Sequence, residues 1–251
     1  MTAPTAPVAL ITGAGGGIAK SIVSRLLGEG WRLELADLDP AQVEQALAEL
    51  PPADRNRVRV HRLDVTDEDS CQRVAQDSAA RSGGLDALIN AAGIMIRRDA
   101  NATTSGDWRR VLDVNLTGSF LMAKACYPAL RASDRAAIVS VSSSHAVLAA
   151  RGSVAYSVSK AGLSHLTRLL ALEWAPDQIR VNAVAPTVVP SPMTADVLAD
   201  PAYVDRKLAA IPLGRPIQPE HVAAATSYLL SPDSGSTTGQ TLLLDGGESL
   251  A

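Results

Sequence analysis

Val8-Ala9-Leu10-Ile11-Thr12 runs straight into Gly13-Ala14-Gly15-Gly16-Gly17, and from Ile18 to Leu27 the apolar spacing turns helical. A short apolar run, a glycine-rich turn and an amphipathic helix are the opening strand, turn and helix of a parallel sheet. Glycines at such a turn let the backbone approach a pyrophosphate. The helix start adds N–H donors and a partial positive charge. A flexible turn is the other reading of a glycine run by itself. The second apolar run, residues 31–36, is stopped by Asp37, twenty residues beyond Gly17. A carboxylate at that place can accept hydrogen bonds from adenosine ribose hydroxyls and repels a 2′-phosphate. Gly16 and Leu38 are neutral where a basic residue could have gripped that phosphate. The stretch therefore favours NAD over NADP, although Asp37 could also serve as a helix or turn cap.

The alternation continues along the chain. Helical patterns occupy 40–50, 67–81, 155–174 and 219–230, and two more fit within 104–131. Apolar strand patterns occupy 58–63, 85–90, 137–141, 179–184 and 240–244. Strands separated by helices predict an α/β fold, a doubly wound parallel sheet of seven strands with helices on both faces. No composition shift or linker divides the 251 residues, which predicts one domain over 1–251. The exception to the rhythm is 187–215, a proline-rich insertion with a short helical stretch near 203–209. Following the carboxyl end of a parallel strand, it is expected to hang over the ligand crevice as a loop or lid.

Composition narrows the function. Apolar residues make up 47%, charged residues 20% and the net charge is −3, with no block of like charges. Nothing here favours nucleic acid or an anionic membrane surface as a partner. Cys71 and Cys126 are far apart and without nearby histidine clusters, which argues against a zinc site or disulfide framework and fits a reducing cytoplasm. The N-terminal residues lack a basic region followed by an apolar run, and no eighteen-residue apolar stretch occurs, so neither a signal peptide nor a membrane span is expected.

Tyr156-Ser157-Val158-Ser159-Lys160 carries the chemistry, with Ser143 thirteen residues upstream. A four-residue step puts Tyr156 and Lys160 on one helix face. An ammonium beside a phenol favours phenolate, which gives an acid/base for an alcohol oxygen, and a serine hydroxyl could hold the same oxygen. Taken alone, such a pair is more often a core ring and a solvated charge. Asp64-Val65 and Asn90-Ala91-Ala92-Gly93 end the third and fourth strands on the same sheet edge. Small residues there admit a cofactor, and ordinary turn chemistry is the competing reading.

With these pieces in order, the chain resembles the short-chain dehydrogenase/reductase family along nearly its whole length. The likeness runs through Thr12–Ile18, Asp64-Val65, Asn90–Gly93, Asn115, Ser143 with Tyr156 and Lys160, Arg180–Pro186 and Asp245-Gly246-Gly247. It implies a single Rossmann-type domain that binds NAD (NAD+/NADH). It implies Tyr156 as proton donor and acceptor, Ser143 as the group positioning the substrate oxygen, and Lys160 on the nicotinamide ribose, lowering the Tyr156 pKa. Asn115 would hold a helix distortion and a water linking Lys160 to solvent. The cofactor would meet Gly13, Gly16, Gly17, Ile18, Asp37, Leu38, Asp64, Val65, Asn90, Ala91, Gly93, Tyr156, Lys160, Pro186 and the backbone near Val189. Three positions depart from the family pattern: Ala19 for the last loop glycine, Ala91 for a second asparagine, and Thr187 for the glycine after proline. A β-branched residue does not readily take φ > 0, so Thr187 implies a loop of different shape or a hydroxyl turned to the ligand.

Residues 94–98, 172–176 and 211–215 are similar to gluconate 5-dehydrogenases and related sugar-acid and polyol enzymes. Arg98, or Arg97, could clamp a carboxylate or several hydroxyls, or be a solvated pair. His145, two residues past Ser143, is a substrate donor or a loop residue, and Arg151 is more readily exposed. The expectation is reversible interconversion of a secondary alcohol and a ketone, the substrate a sugar acid or polyol. Alternatives are a cyclic, aromatic or acyl-linked carbonyl compound, and a dinucleotide-binding protein without turnover. The family's habit of assembly implies a homo-oligomer, tetramer or dimer, using residues 108–131, 155–174 and the last strand.

Overall fold

The central strands are built of residues that want no water on either face. β1 (Val8–Thr12), β4 (Ala87–Asn90) and β5 (Ala137–Val141) are buried at every position, as strands covered by helices on both sides must be. The computed structural model describes residues 6–48 and 50–251. Its single sheet has seven strands, all parallel, with β2 (Arg32–Asp37), β3 (Val58–Arg62), β6 (Arg180–Pro186) and β7 (Thr241–Leu244) completing the order β3-β2-β1-β4-β5-β6-β7.

Two apolar layers fill the space between sheet and helices. On one side α1 (Gly17–Gly28) lies against α10 (Pro219–Leu230), burying Ile22, Leu26, Val222 and Leu229 with β1 and β5. On the other, α4 (Glu68–Ser82) and α6 (Gly118–Arg131) bury Cys71, Val74, Met122 and Leu130. The remaining helices, in chain order, are α2 (Pro40–Leu47), α3 (Pro52–Arg55), α5 (Ser105–Leu112), α7 (Val154–Trp174), α8 (Ala195–Leu198) and α9 (Pro201–Ala209). No helix among the described residues is long and apolar enough to cross a membrane.

Three details differ from the sequence expectation. The helices within 104–131 are continuous: α5 passes into α6 through a π-helical stretch, Asp113–Thr117, with Asn115 fully buried inside it. β6 runs to Pro186, two residues further than its pattern suggests. Beyond Val184 only β7 lies beside it, where a residue without an N–H is tolerated. β7, apolar on both faces, is an edge strand rather than a central one, and Leu242 is 39% exposed.

Candidate active site

The glycine turn forms a cradle at the carboxyl edge of the sheet, where strand order reverses between β1 and β4. Gly13 has φ +65°, and a Cβ there would stand 2.5 Å from Ala92 Cα. Only glycine meets both conditions. Thr12 sends its hydroxyl under the same turn, accepting from Ala91 N (3.2 Å) and Ala92 N (3.3 Å). Gly16 caps α1 without a side-chain hydrogen bond, so the helix start keeps free N–H donors for an anion. Ile18 follows in the first turn of α1. Ala19 is helical and buried, and its methyl causes no conflict. A Cβ on Gly17 would come within 3.0 Å of Ser191 Cβ, so the insertion after β6 already lies over the cradle.

Asp37 ends β2, as expected. Its two carboxylate oxygens accept from Gly15 N (2.9 Å) and Asp39 N (3.1 Å). The Asp37 carboxylate is thus fixed at the rim of the turn with lone pairs to spare. It does not cap a helix; Asp39 does that for α2. Leu38 is exposed beside it. Hydrogen bonds from Thr66 to Asp64 hold that carboxyl below the usual carboxylate range, and Val65 is buried next to it. Asn90 donates to Ser119 O (3.3 Å), while its buried Oδ1 has no partner among the described residues. These observations fit a nicotinamide dinucleotide: an open helix start, a turn only glycine can make, and a fixed carboxylate at the end of β2.

Tyr156 and Lys160 lie on the first turns of α7. Ser143, at the end of β5, and the π-helical Asn115 complete the group. Asn115 accepts from Ile94 N (2.8 Å) and donates to Ile94 O (3.0 Å) and Ser159 Oγ (3.0 Å). It therefore ties the loop after β4 to α7. A Cβ on Gly93 would lie 3.4 and 3.5 Å from Asn115 Oδ1 and Lys160 Nζ, so the loop after β4 passes close to both. Lys160 Nζ donates to Val141 O at 2.7 Å and stands 5.7 Å from the Tyr156 ring centroid. Burial pulls its pKa down to about 8.

The expectation that Lys160 acidifies Tyr156 needs correction. Burial raises the Tyr156 phenol above its ordinary value, and the groups that oppose this are the Ser143 hydroxyl and the Arg97 charge. Lys160 makes its one hydrogen bond among the described residues to the backbone of β5, at Val141 O.

The arginine expectation also changes. Arg98 is half-exposed and pairs with Asp107 (3.0 Å), a member of the capping box of α5. Arg97 is the one whose charge reaches both Tyr156 and His145. Its guanidinium is engaged by Asp196 (3.1 and 3.3 Å) and Met193 O (3.0 Å), both from the insertion. His145 stands edge-on to Tyr156, ring centroids 5.7 Å apart. Burial and then Lys207 push its pKa down, with Glu248 opposing. Thr187 takes no positive φ, and its hydroxyl donates to Glu248. Val189 is buried, its carbonyl accepting from Thr194 Oγ1 (2.7 Å). Arg151 is exposed. Lys207 and Glu248 had no signal in the sequence, because they meet only when α9 folds back on the C-terminal turn.

Comparison with known proteins agrees with this geometry. A family model described as enoyl-(acyl carrier protein) reductase matches residues 13–249. Cyclopentanol dehydrogenase of Comamonas sp. (strain NCIMB 9872) is 33% identical over 240 residues, 96% of this chain and 96% of its own length. D-threitol dehydrogenase of Mycolicibacterium smegmatis is 36% identical over 240 residues, 96% of this chain and 92% of its own. Levodione reductase superposes with a TM-score of 0.91 at 28% identity, covering 98% of each chain. With a seven-stranded parallel sheet, a dinucleotide cradle and these relatives, the chain is an oxidoreductase belonging to the short-chain dehydrogenase/reductase family.

Proposed function

We propose that the protein interconverts a neutral secondary alcohol, a polyol in the first instance, with its ketone, using NAD. The observation that carries this is the meeting of Ser143, Tyr156, Lys160 and Asn115 beside the glycine cradle. NAD is favoured over NADP by the Asp37 carboxylate, held at the rim of the turn by Gly15 N, where a 2′-phosphate would meet like charge. When bound, the nicotinamide supplies the hydride acceptor and donor.

The chain's own part is proton management and placement. Ser143 holds the alcohol oxygen, and Tyr156 takes its proton in oxidation and returns it in reduction. Since burial keeps the phenol above its usual pKa, the phenolate needed for oxidation becomes more abundant as pH rises. Alcohol oxidation should therefore gain rate toward alkaline pH, and ketone reduction should fall. Lys160, with a pKa of about 8, exchanges a proton with solvent near working pH.

A neutral substrate follows from where the cations go. Arg98 is bound to Asp107, Arg97 to Asp196, and Lys207 to Glu248, so each of these three cations already has a carboxylate beside it, and Lys160, held by Val141 O, is assigned to the cofactor. Within the single domain, residues 187–215 serve as the lid, pinned by Arg97 at Asp196 and lying over Gly17. Exposed Phe120 on α6 with Leu169 and Leu172 on α7 support a homo-oligomer, in the first instance a tetramer, through those helices.

The test is a panel of D-threitol, galactitol, gluconate and cyclopentanol with NAD+ and NADP+. The expected result is kcat/KM highest for a neutral alcohol with NAD+. Tyr156→Phe should lose turnover by about 10²–10⁴-fold while still binding NADH. A preference for gluconate would overturn the neutral assignment, and near-normal kcat in Tyr156→Phe would overturn the site.

A further inference from the structure

Lys207 on α9 and Glu248 in the C-terminal turn form an ion pair whose side chains are only 15% and 12% exposed. Thr187, one residue past β6, donates its hydroxyl to the other Glu248 oxygen. Three distant parts of the chain thus meet: the strand end above the cradle, the lid and the C-terminus. Thr187 follows the carboxyl end of β6, the sheet edge that also carries Ser143, and His145, on which both charges act, has its ring against Tyr156, so the pair lies on the same side of the sheet edge as the reactive phenol.

The pair is not saturated. An ammonium has three N–H donors and a carboxylate about four acceptor sites. Among the described residues Lys207 donates once, to Glu248, and Glu248 accepts once at each oxygen. A spare donor and a spare acceptor therefore stand side by side in a partly desolvated place. We infer that Lys207 and Glu248 form a hydroxyl-reading subsite that binds a second hydroxyl of a polyol whose carbinol oxygen is held by Ser143 and Tyr156.

A hydroxyl suits the subsite because it donates and accepts at one atom, giving to Glu248 while receiving from Lys207. A carboxylate would face the Glu248 charge with no proton to give. A hydrocarbon end would cover both ions and supply neither bond, which leaves desolvated polar groups unpaired. Rejection of a group that cannot make the expected bonds is the stronger form of discrimination. The subsite therefore separates a polyol from a bare cyclic alcohol, two classes found among the relatives. This inference rests on the alcohol-oxidising role given to Tyr156 above.

The experiment compares the wild-type protein with Glu248→Gln and Lys207→Met. For each, kcat and KM are measured with NAD+ on the best polyol of the panel and on cyclopentanol. Polyol binding to the enzyme–NADH complex is followed by NADH fluorescence. Each variant should lower the ratio of kcat/KM for polyol over cyclopentanol by about tenfold, as loss of one charge-assisted hydrogen bond requires. Most of the change should lie in the polyol KM, with a matching loss in the fluorescence titration. An unchanged ratio overturns the subsite; a parallel fall on both substrates means the pair only fastens the lid. Wild-type activity on cyclopentanol with none on any polyol overturns it too, yet leaves the role of Tyr156 standing. Inactivity on every alcohol despite normal NADH binding removes that role and the subsite with it.

Discussion

Lys160→Met tests the electrostatics of the site through folding rather than turnover. The Lys160 ammonium is buried with one acceptor, Val141 O, and its pKa falls from 10.5 to about 8. The folded chain thus binds this proton more weakly than the unfolded chain does. Between about pH 8 and 10.5 the unfolded state holds more protons, and stability must rise with pH across that window. Below pH 8 both states are protonated, and the folded state carries the whole cost of the buried charge. A displacement of this size corresponds to about 3 kcal/mol. The same relation returns about 1 kcal/mol of it between pH 7 and 9. Methionine keeps an unbranched stem of similar length and removes the charge, so the variant lacks this slope. Urea unfolding at pH 7, 8 and 9, read by the fluorescence of Trp31, Trp108 and Trp174, measures it at equal protein concentration. Other titrating groups cancel in the difference. Wild type minus variant should rise by about 1 kcal/mol from pH 7 to 9. Parallel curves would show that burial does not lower this pKa.

Two further substitutions follow from the hydrogen bonding. Asn115→Leu strips Ile94 N and Ile94 O of their partner and should cost about 2–6 kcal/mol of unfolding free energy, at about 1–3 kcal/mol for each of the two unsatisfied groups. The loop after β4 would also loosen, weakening NADH binding in a fluorescence titration. Arg98→Ala removes only a half-exposed pair with Asp107. Its expected effect is about 0.2–1 kcal/mol in thermal unfolding, with kcat/KM on every alcohol of the panel unaffected; a substrate-selective loss would return Arg98 to the crevice.

Much of the fold was legible because its signals are local. β1, β5 and α10 fall where the apolar period and the flanking glycine and proline put them. Gly13 was identifiable because its turn must be made by one residue type, and Asp37 because its distance from the turn is set by one helix and one strand. The π-helical stretch at Asp113–Thr117 could be anticipated only through the family likeness at Asn115, since a single widened turn leaves apolar spacing almost unchanged. The charged residues were the least legible. Arg98 and Arg97 are neighbours in sequence, yet one turns to α5 and the other to the insertion after β6, a choice made by partners nine and ninety-nine residues away.

By itself, the sequence determined the order of strands and helices and the glycine turn after β1, and it singled out the residues proposed to exchange a proton with an alcohol, since each depends on periodicity, glycine geometry or short-range spacing. Only the tertiary structure decided which charges are spent and which remain available. Burial and pairing depend on neighbours remote in the chain: they lower the proton affinity of Lys160, give Arg97 to Asp196, and bring Lys207 to Glu248 beside His145.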